Sequence, residues 1–201
     1  MSYLFQDTAR AARRLQILAD VFAPSSRAFL QNIVDRVPQL AVDLGCGPGY
    51  TTRLLLDTTQ CVRAIGLDPA WDSLGRARRR APGVPLVQGS AEALPFRAGT
   101  FDTVVSSLVF CSVAEPARGL AEVKRVLRPD GSLRMIEHVR SRRAWKAAFQ
   151  DRVQPLWTWA SGGCRPNRET ERAVENAGFV IDTGDRAEMA DMRRFSARVR
   201  R

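Results

Sequence analysis

From Leu40 the chain runs through a short apolar stretch, Ala41-Val42-Asp43-Leu44, into three glycines at alternate positions, Gly45-Cys46-Gly47-Pro48-Gly49, and then into Tyr50-Thr51-Thr52. The apolar run predicts a buried strand and the glycines a tight turn, with a helix starting near Thr51 or Thr52. Glycine serves such a turn because it accepts positive φ and lets the backbone approach a ligand with no Cβ in the way. The helix start adds unpaired N–H groups and a partial positive charge. A strand, a glycine turn and a helix start form a binding corner.

Spacing decides what the corner binds. A dinucleotide fingerprint needs G-x-G-x-x-G, but Gly47 is followed two residues later by Gly49 and then by Tyr50, and no Gly-Lys-Ser/Thr follows for a phosphate loop. What fits is D-x-G-x-G-x-G, with the Asp43 carboxylate at the strand end facing a positively charged ligand group. S-adenosylmethionine (SAM), with its ammonium and sulfonium charges, is such a ligand.

Val42-Asp43-Leu44-Gly45-Cys46-Gly47-Pro48-Gly49 resembles the first motif of the class I SAM-dependent methyltransferases, those with the methyltransferase type 11 domain. The resemblance implies SAM as cofactor, S-adenosylhomocysteine as product, and Asp43, Gly45, Cys46, Gly47 and Gly49 as cofactor contacts. Val62 to Leu67 reads as a second strand ended by Asp68, whose place suits an acidic residue bonding both ribose hydroxyls; Asp68-Pro69 also makes a good helix start, and the two roles are compatible. Pro85 to Val87 reads as a third strand, and Gln88 to Phe96 resembles the family's adenine-framing loop, placing Ser90, Ala91 and Glu92 at the cofactor. Ser90 stands where the family usually has aspartate, which weakens the side-chain contact to adenine.

Thr100 to Phe110 is nearly continuous in apolar character and predicts a central fourth strand whose end, Ser107-Leu108, joins the cofactor side. A helix over 115–127 stops at Arg128-Pro129-Asp130-Gly131, which reads as a turn into a fifth strand, Ser132 to Ile136. Strands alternating with helices predict an α/β, Rossmann-like, doubly wound and mostly parallel seven-stranded sheet with helices on both faces, binding its ligand outside the strand C-termini. Phe179 to Asp182 opens a late strand, and Phe195 to Val199 is expected as a last edge strand.

Methyl transfer is an in-line displacement, so the protein mainly aligns donor and acceptor; a base is needed where the acceptor carries a proton. His138, the chain's single histidine, follows the fifth strand with Glu137 beside it, and these are the candidate catalytic residues. The alternative for His138 is a group that shapes the pocket. From Ala144, Trp145, Phe149, Val153, Leu156, Trp157 and Trp159 are spaced for a helix or helical hairpin, so residues 141–166 are expected as an insert near the acceptor, either packed as core or forming an apolar pocket or membrane-contact surface.

A length of 201 residues suits one domain, residues 1–201, in which residues 1–37 supply two helices broken at Pro24-Ser25-Ser26; the resemblance makes these a lid, and packing on the sheet is the alternative. No run of 18 apolar residues occurs and the start lacks a signal-peptide pattern, so a soluble, cytoplasmic protein is expected. Cys46, Cys61, Cys111 and Cys164 show no C-x-x-C pairing, and no metal site is expected. The net charge of +10 comes almost wholly from scattered arginines, with few aromatics placed for base stacking, so no nucleic-acid partner is expected. Arg76 and Arg78-Arg79-Arg80 read as a solvated helix end.

Leu108 to Val113, Glu137-His138-Val139, Gln150 to Trp157, and Gly162-Gly163-Cys164 with Asn167-Arg168-Glu169-Thr170 narrow the resemblance to thiol S-methyltransferases of the methyltransferase-like seven type. The implied activity is methylation of a small-molecule thiol, in secondary metabolism or detoxification. Other readings are a phospholipid amine, with peripheral membrane contact, a quinone or phenol acceptor, and a SAM-binding module without transfer. The sequence carries no signal of oligomeric state.

Overall fold

The computed structural model describes residues 26–27, 29–30, 38–59 and 63–200. Seven strands form one sheet in the order β3-β2-β1-β4-β5-β7-β6: β1 (Leu40–Leu44), β2 (Arg63–Asp68), β3 (Leu86–Gln88), β4 (Phe101–Ser107), β5 (Leu127–His138), β6 (Phe179–Met189) and β7 (Met192–Val199). The first five run parallel, and β7 lies antiparallel to both β5 and β6. β1 pairs with β2 on one side and β4 on the other, so strand order reverses there and a crevice opens outside their C-terminal ends.

The two faces are covered differently. Val42, Leu44, Val104, Leu133 and Met135 pack under α3 (Pro116–Val126) and α5 (Thr170–Asn176) through Leu120, Val123, Val126 and Val174. The intervening Ala41 and Val105 turn to the opposite face, where Leu55 of α1 (Tyr50–Thr59) meets Ala64 and Leu30. This period-two split explains why β1 is buried at four of its five positions and β4 at five of its seven: both faces are covered. Two further helices, α2 (Trp71–Arg80) and α4 (Ala144–Ser161), complete the described set.

The expected lid over residues 1–37 lies outside the described residues except for 26–27 and 29–30. Residues 26–27 and 29–30 are helical, and Phe29 and Leu30 are fully buried. The Phe29 carbonyl accepts from Arg134 Nη1 at 3.0 Å, so this turn packs on the sheet.

Two boundaries differ from expectation, and a third expectation is resolved. Phe195 to Val199 belongs to β7, an interior strand, and β6 takes the edge, because the β6–β7 hairpin folds back before it docks. Arg128-Pro129-Asp130-Gly131 does not end in a turn before the strand; it lies inside β5 as an irregularity, with Phe101 opposite Leu127 and Thr103 opposite Ser132. Asp102 holds it there, pairing with Arg128 Nη1 at 2.5 Å and accepting the Leu40 N–H at 2.9 Å. Residues 144–161 form one helix, with Pro155 tolerated inside it, and no hairpin.

Candidate functional site

The glycine turn is built by contacts that exclude side chains. Gly45 and Gly49 sit at φ +65° and +84°; a Cβ on Gly45 would lie 2.4 Å from Val109, and one on Gly49 would lie 3.0 Å from the Ala77 backbone. A Cβ on Gly47 would meet nothing within 4 Å, so this position faces open space at the crevice. Cys46 turns inward: its sulfur packs over Gly66, its N–H donates to Leu67 at 2.9 Å, and its carbonyl accepts from Gly49 at 2.9 Å. Cys46 thus builds the turn, with its thiol and both backbone groups committed inside it.

Asp68 braces the same turn from β2. Its Oδ2 accepts the Gly47 N–H at 2.8 Å and its Oδ1 the Ala70 N–H at 2.8 Å, so it supports the turn and the start of α2 together. The Pro69 carbonyl accepts from Gln88 Nε2 at 3.1 Å and ties β2 to β3. Arg80 reaches back from the end of α2, donating to the Pro48 carbonyl at 2.6 Å with its guanidinium 3.7 Å from the Tyr50 ring centroid. The solvated helix end read from the arginine run therefore holds for exposed Arg78 and Arg79 and fails for Arg80, whose partners are some thirty residues away in sequence.

Asp43 carries the strongest ligand signal. It is 1% exposed, and Oδ2 accepts from Thr52 at 2.5 Å, but Oδ1 has no hydrogen-bond partner among the described residues. Burial pushes its carboxyl up to about 7, with the Thr52 hydroxyl opposing and Asp68 adding to the rise. An unpaired buried carboxylate oxygen costs on the order of 1–3 kcal/mol. A cationic ligand group would supply the missing partner.

At the third strand end, Ser90 donates to Glu92, whose Oε1 accepts the N–H groups of Ala114 and Glu115 at 3.1 and 3.3 Å. Burial works against the Glu92 charge, yet these donors hold its carboxyl below the usual range. Glu92 thus ties the loop to the start of α3, and buried Ala91 sits against Gly119.

β4 ends at Ser107, and Leu108 takes φ +59°, unusual for a bulky residue, as its N–H turns to the Ile136 carbonyl at 2.8 Å. Glu137 holds the loop that follows. Fully buried, it accepts from Ser106 Oγ at 3.0 Å and from the N–H groups of Val109, Phe110 and Cys111 at 3.1, 3.0 and 3.2 Å. Burial pushes the carboxyl up while these four donors pull the other way. So engaged, Glu137 positions the loop, and the group left for acid–base chemistry is its neighbour.

His138 is half-buried, with Nδ1 3.5 Å from Cys164 Sγ and its ring edge-on to Trp157 at 5.8 Å between centroids. Cys164 follows Gly162 and Gly163, both at positive φ, which close α4. α4 is held over the end of β5 by Gln150, which donates to the Val139 carbonyl at 3.3 Å and accepts the Ser141 N–H at 2.8 Å, and by Arg140 paired with Asp151. The glycine turn, the loop after β4 and the end of β5 therefore lie together at the C-terminal ends of neighbouring strands.

Residues 42–135 match the family model for the methyltransferase domain. Under half of the chain is thus similar to a methyltransferase domain. Among curated proteins it is similar to the thiol S-methyltransferase TMT1B of Homo sapiens, 44% identical over 82 residues, covering 40% of this chain and 34% of that one. It is also similar to the demethylmenaquinone methyltransferase of Beutenbergia cavernae, 32% identical over 139 residues, covering 67% of this chain and 56% of that one. The matches span between 33% and 56% of the length of such relatives. A SAM-dependent methyltransferase structure from Thermotoga maritima shares the fold, with a TM-score of 0.73 at 18% identity over 98% of this chain and 99% of that one.

S-adenosylmethionine is the cofactor that this family and fold imply, and the methyltransferase domain fits it: the orphaned Asp43 oxygen asks for a cation and Gly47 leaves space beside it. Sequence reasoning missed Thr52, Arg80 and Arg168, which donates to the Phe110 carbonyl. Only the Asp43–Thr52 spacing, one end of the turn to the other, offered a local signal for any of them. Among the described residues no group of three or more His, Cys, Asp or Glu side chains is arranged for a metal ion, and no helix is long and apolar enough to cross a membrane.

Proposed function

We propose that the protein transfers the methyl group of SAM to a small thiol, with His138 taking the acceptor's proton. Bound SAM supplies an electrophilic methyl carbon. Asp43 would meet its positive charge, Gly47 would give it room, Asp68 would meet the ribose, and Ser90 to Glu92, Ser107 and Leu108 would frame the rest. The observation that carries the acceptor assignment is the placement of His138: at the end of β5, its Nδ1 faces Cys164 and its ring abuts Trp157, while no described residue occupies Nε2. A thiol ionises near 8.5, so a neutral imidazole beside it shifts it toward the nucleophilic thiolate at neutral pH. The similarity to the human thiol methyltransferase supports the same choice.

A quinol carbon or oxygen is the second reading, favoured by the longer match to the demethylmenaquinone enzyme and by the apolar side chains of α4 that would border the acceptor. Labelled methyl from SAM, offered in parallel to alkyl and aryl thiols, demethylated quinols and phosphatidylethanolamine vesicles, separates them. Saturable label in thiols alone bears the proposal out. Label in quinols or lipid alone replaces it, and binding of SAM with no transfer to any acceptor makes the domain a cofactor-binding module.

A further inference from the structure

The acceptor side contains a second thiol that proton transfer from the acceptor does not use. Cys111, on the loop held by Glu137, and Cys164, in the loop leaving α4, are both buried, and each thiol shifts the other's ionisation. Their backbones are joined directly, the Arg165 N–H donating to the Cys111 carbonyl at 2.8 Å. Arg168 adds a second clasp to the Phe110 carbonyl, one residue before Cys111. This pairing sets the two backbones side by side, the approach that a disulfide requires. The Cys164 end can adjust, because Gly162 and Gly163 precede it.

We propose that Cys111 and Cys164 are an oxidisable pair, which a small hydroperoxide converts to a disulfide that takes Cys164 away from His138. Cys164 is 8% exposed and Cys111 2%, so Cys164 is the sulfur that a peroxide meets. Its contacts with the Cys111 thiol and the His138 ring also hold the Cys164 thiol below its ordinary range, against burial, which favours the thiolate. The thiolate attacks the outer oxygen of the hydroperoxide: an S–O bond forms, the O–O bond breaks, and two electrons pass from sulfur to oxygen. The departing alkoxide takes up the proton that the Cys164 thiol released, leaving a sulfenic acid. Cys111 sulfur then attacks Cys164 sulfur, the S–S bond forms, the S–O bond breaks, and the Cys111 proton leaves with hydroxide as water. Two thiols and one hydroperoxide give one disulfide, one alcohol and one water.

The inference is independent of the acceptor, since no methyl transfer enters its test. The untagged full chain is treated with hydrogen peroxide, alkylated, digested and weighed, and the ring resonances of His138, the single histidine, are followed by NMR. The expected result is a Cys111–Cys164 crosslinked peptide that dithiothreitol removes, with the His138 resonances moving and returning in step. In Cys111→Ser the reaction stops at a Cys164 sulfenic acid that dimedone traps. Calorimetry is expected to find SAM affinity within about twofold of the reduced protein. Three results overturn the proposal: oxidation at Cys46 or Cys61 with Cys111 and Cys164 still alkylatable, a crosslink that leaves the His138 resonances unmoved, or loss of SAM binding on oxidation.

Discussion

The Glu137 carboxylate accepts the backbone N–H of Phe110 at 3.0 Å across the ends of β5 and β4, inside a site with no exposure to solvent. With Val109, Cys111 and Ser106 donating to the same carboxylate, one side chain sets the shape of the loop that follows β4. Glu137→Gln replaces an acceptor by an amide NH₂ facing N–H donors, at a cost of about 2–4 kcal/mol. Thermal unfolding should show a midpoint lower by several degrees. An unchanged midpoint would remove the anchoring role.

Asp43 should give the protein a pH-dependent SAM affinity. Its native carboxyl is pushed up to about 7, whereas an unfolded aspartate ionises near 3.9. Between these values the native state holds a proton that the unfolded chain has released, so this group's contribution to stability falls as pH rises from about 4 to 7 and is level above. A cationic ligand requires the ionised form, so SAM affinity should rise with pH up to about 7, and binding at pH 6 should release close to one proton. Calorimetry in buffers of different ionisation heat measures that release. Asp43→Asn is expected to abolish it and to weaken SAM binding by tenfold or more; proton release persisting in Asp43→Asn would assign it elsewhere.

His138→Ala should lower kcat on thiols by about a hundredfold, the usual scale of a lost general base, and flatten the rise of rate with pH. SAM affinity should be unaltered. Since thiols ionise unaided at high pH, the variant should recover toward wild type above about pH 9. Equal loss at every pH would make His138 a residue that shapes the pocket.

One face of α4 carries Trp145, Phe149, Leu156 and Trp159, exposed at 70%, 59%, 68% and 82%, with exposed Arg152 among them. Large apolar side chains in such a stripe, on a protein of net charge +10, suit an anionic membrane surface. Co-sedimentation with phosphatidylglycerol vesicles is expected, reduced about tenfold in Trp145→Ser/Trp159→Ser and weak with neutral lipid. Protein remaining in the supernatant with both vesicle types would exclude this role.

Sequence alone determined the glycine turn after β1 and the mostly parallel sheet. Three glycines after a buried strand report a backbone requirement, and strands buried on both faces announce themselves residue by residue, so Asp43 to Gly49 and the order of strands and helices were readable locally. The partners were decided by tertiary structure. Nothing near Arg80 in sequence points to Pro48 and Tyr50, and nothing beside Glu137 shows that three N–H groups of the preceding strand's loop will converge on its carboxylate rather than leave it to act on a substrate. The hairpin that puts β7 inside the sheet and β6 at its edge, and the meeting of Cys111, Cys164 and His138, depend likewise on how distant segments pack. A local pattern records what each residue needs from its own backbone and from burial, whereas hydrogen-bond partners across the fold are fixed only when the chain closes and every buried polar group must find one.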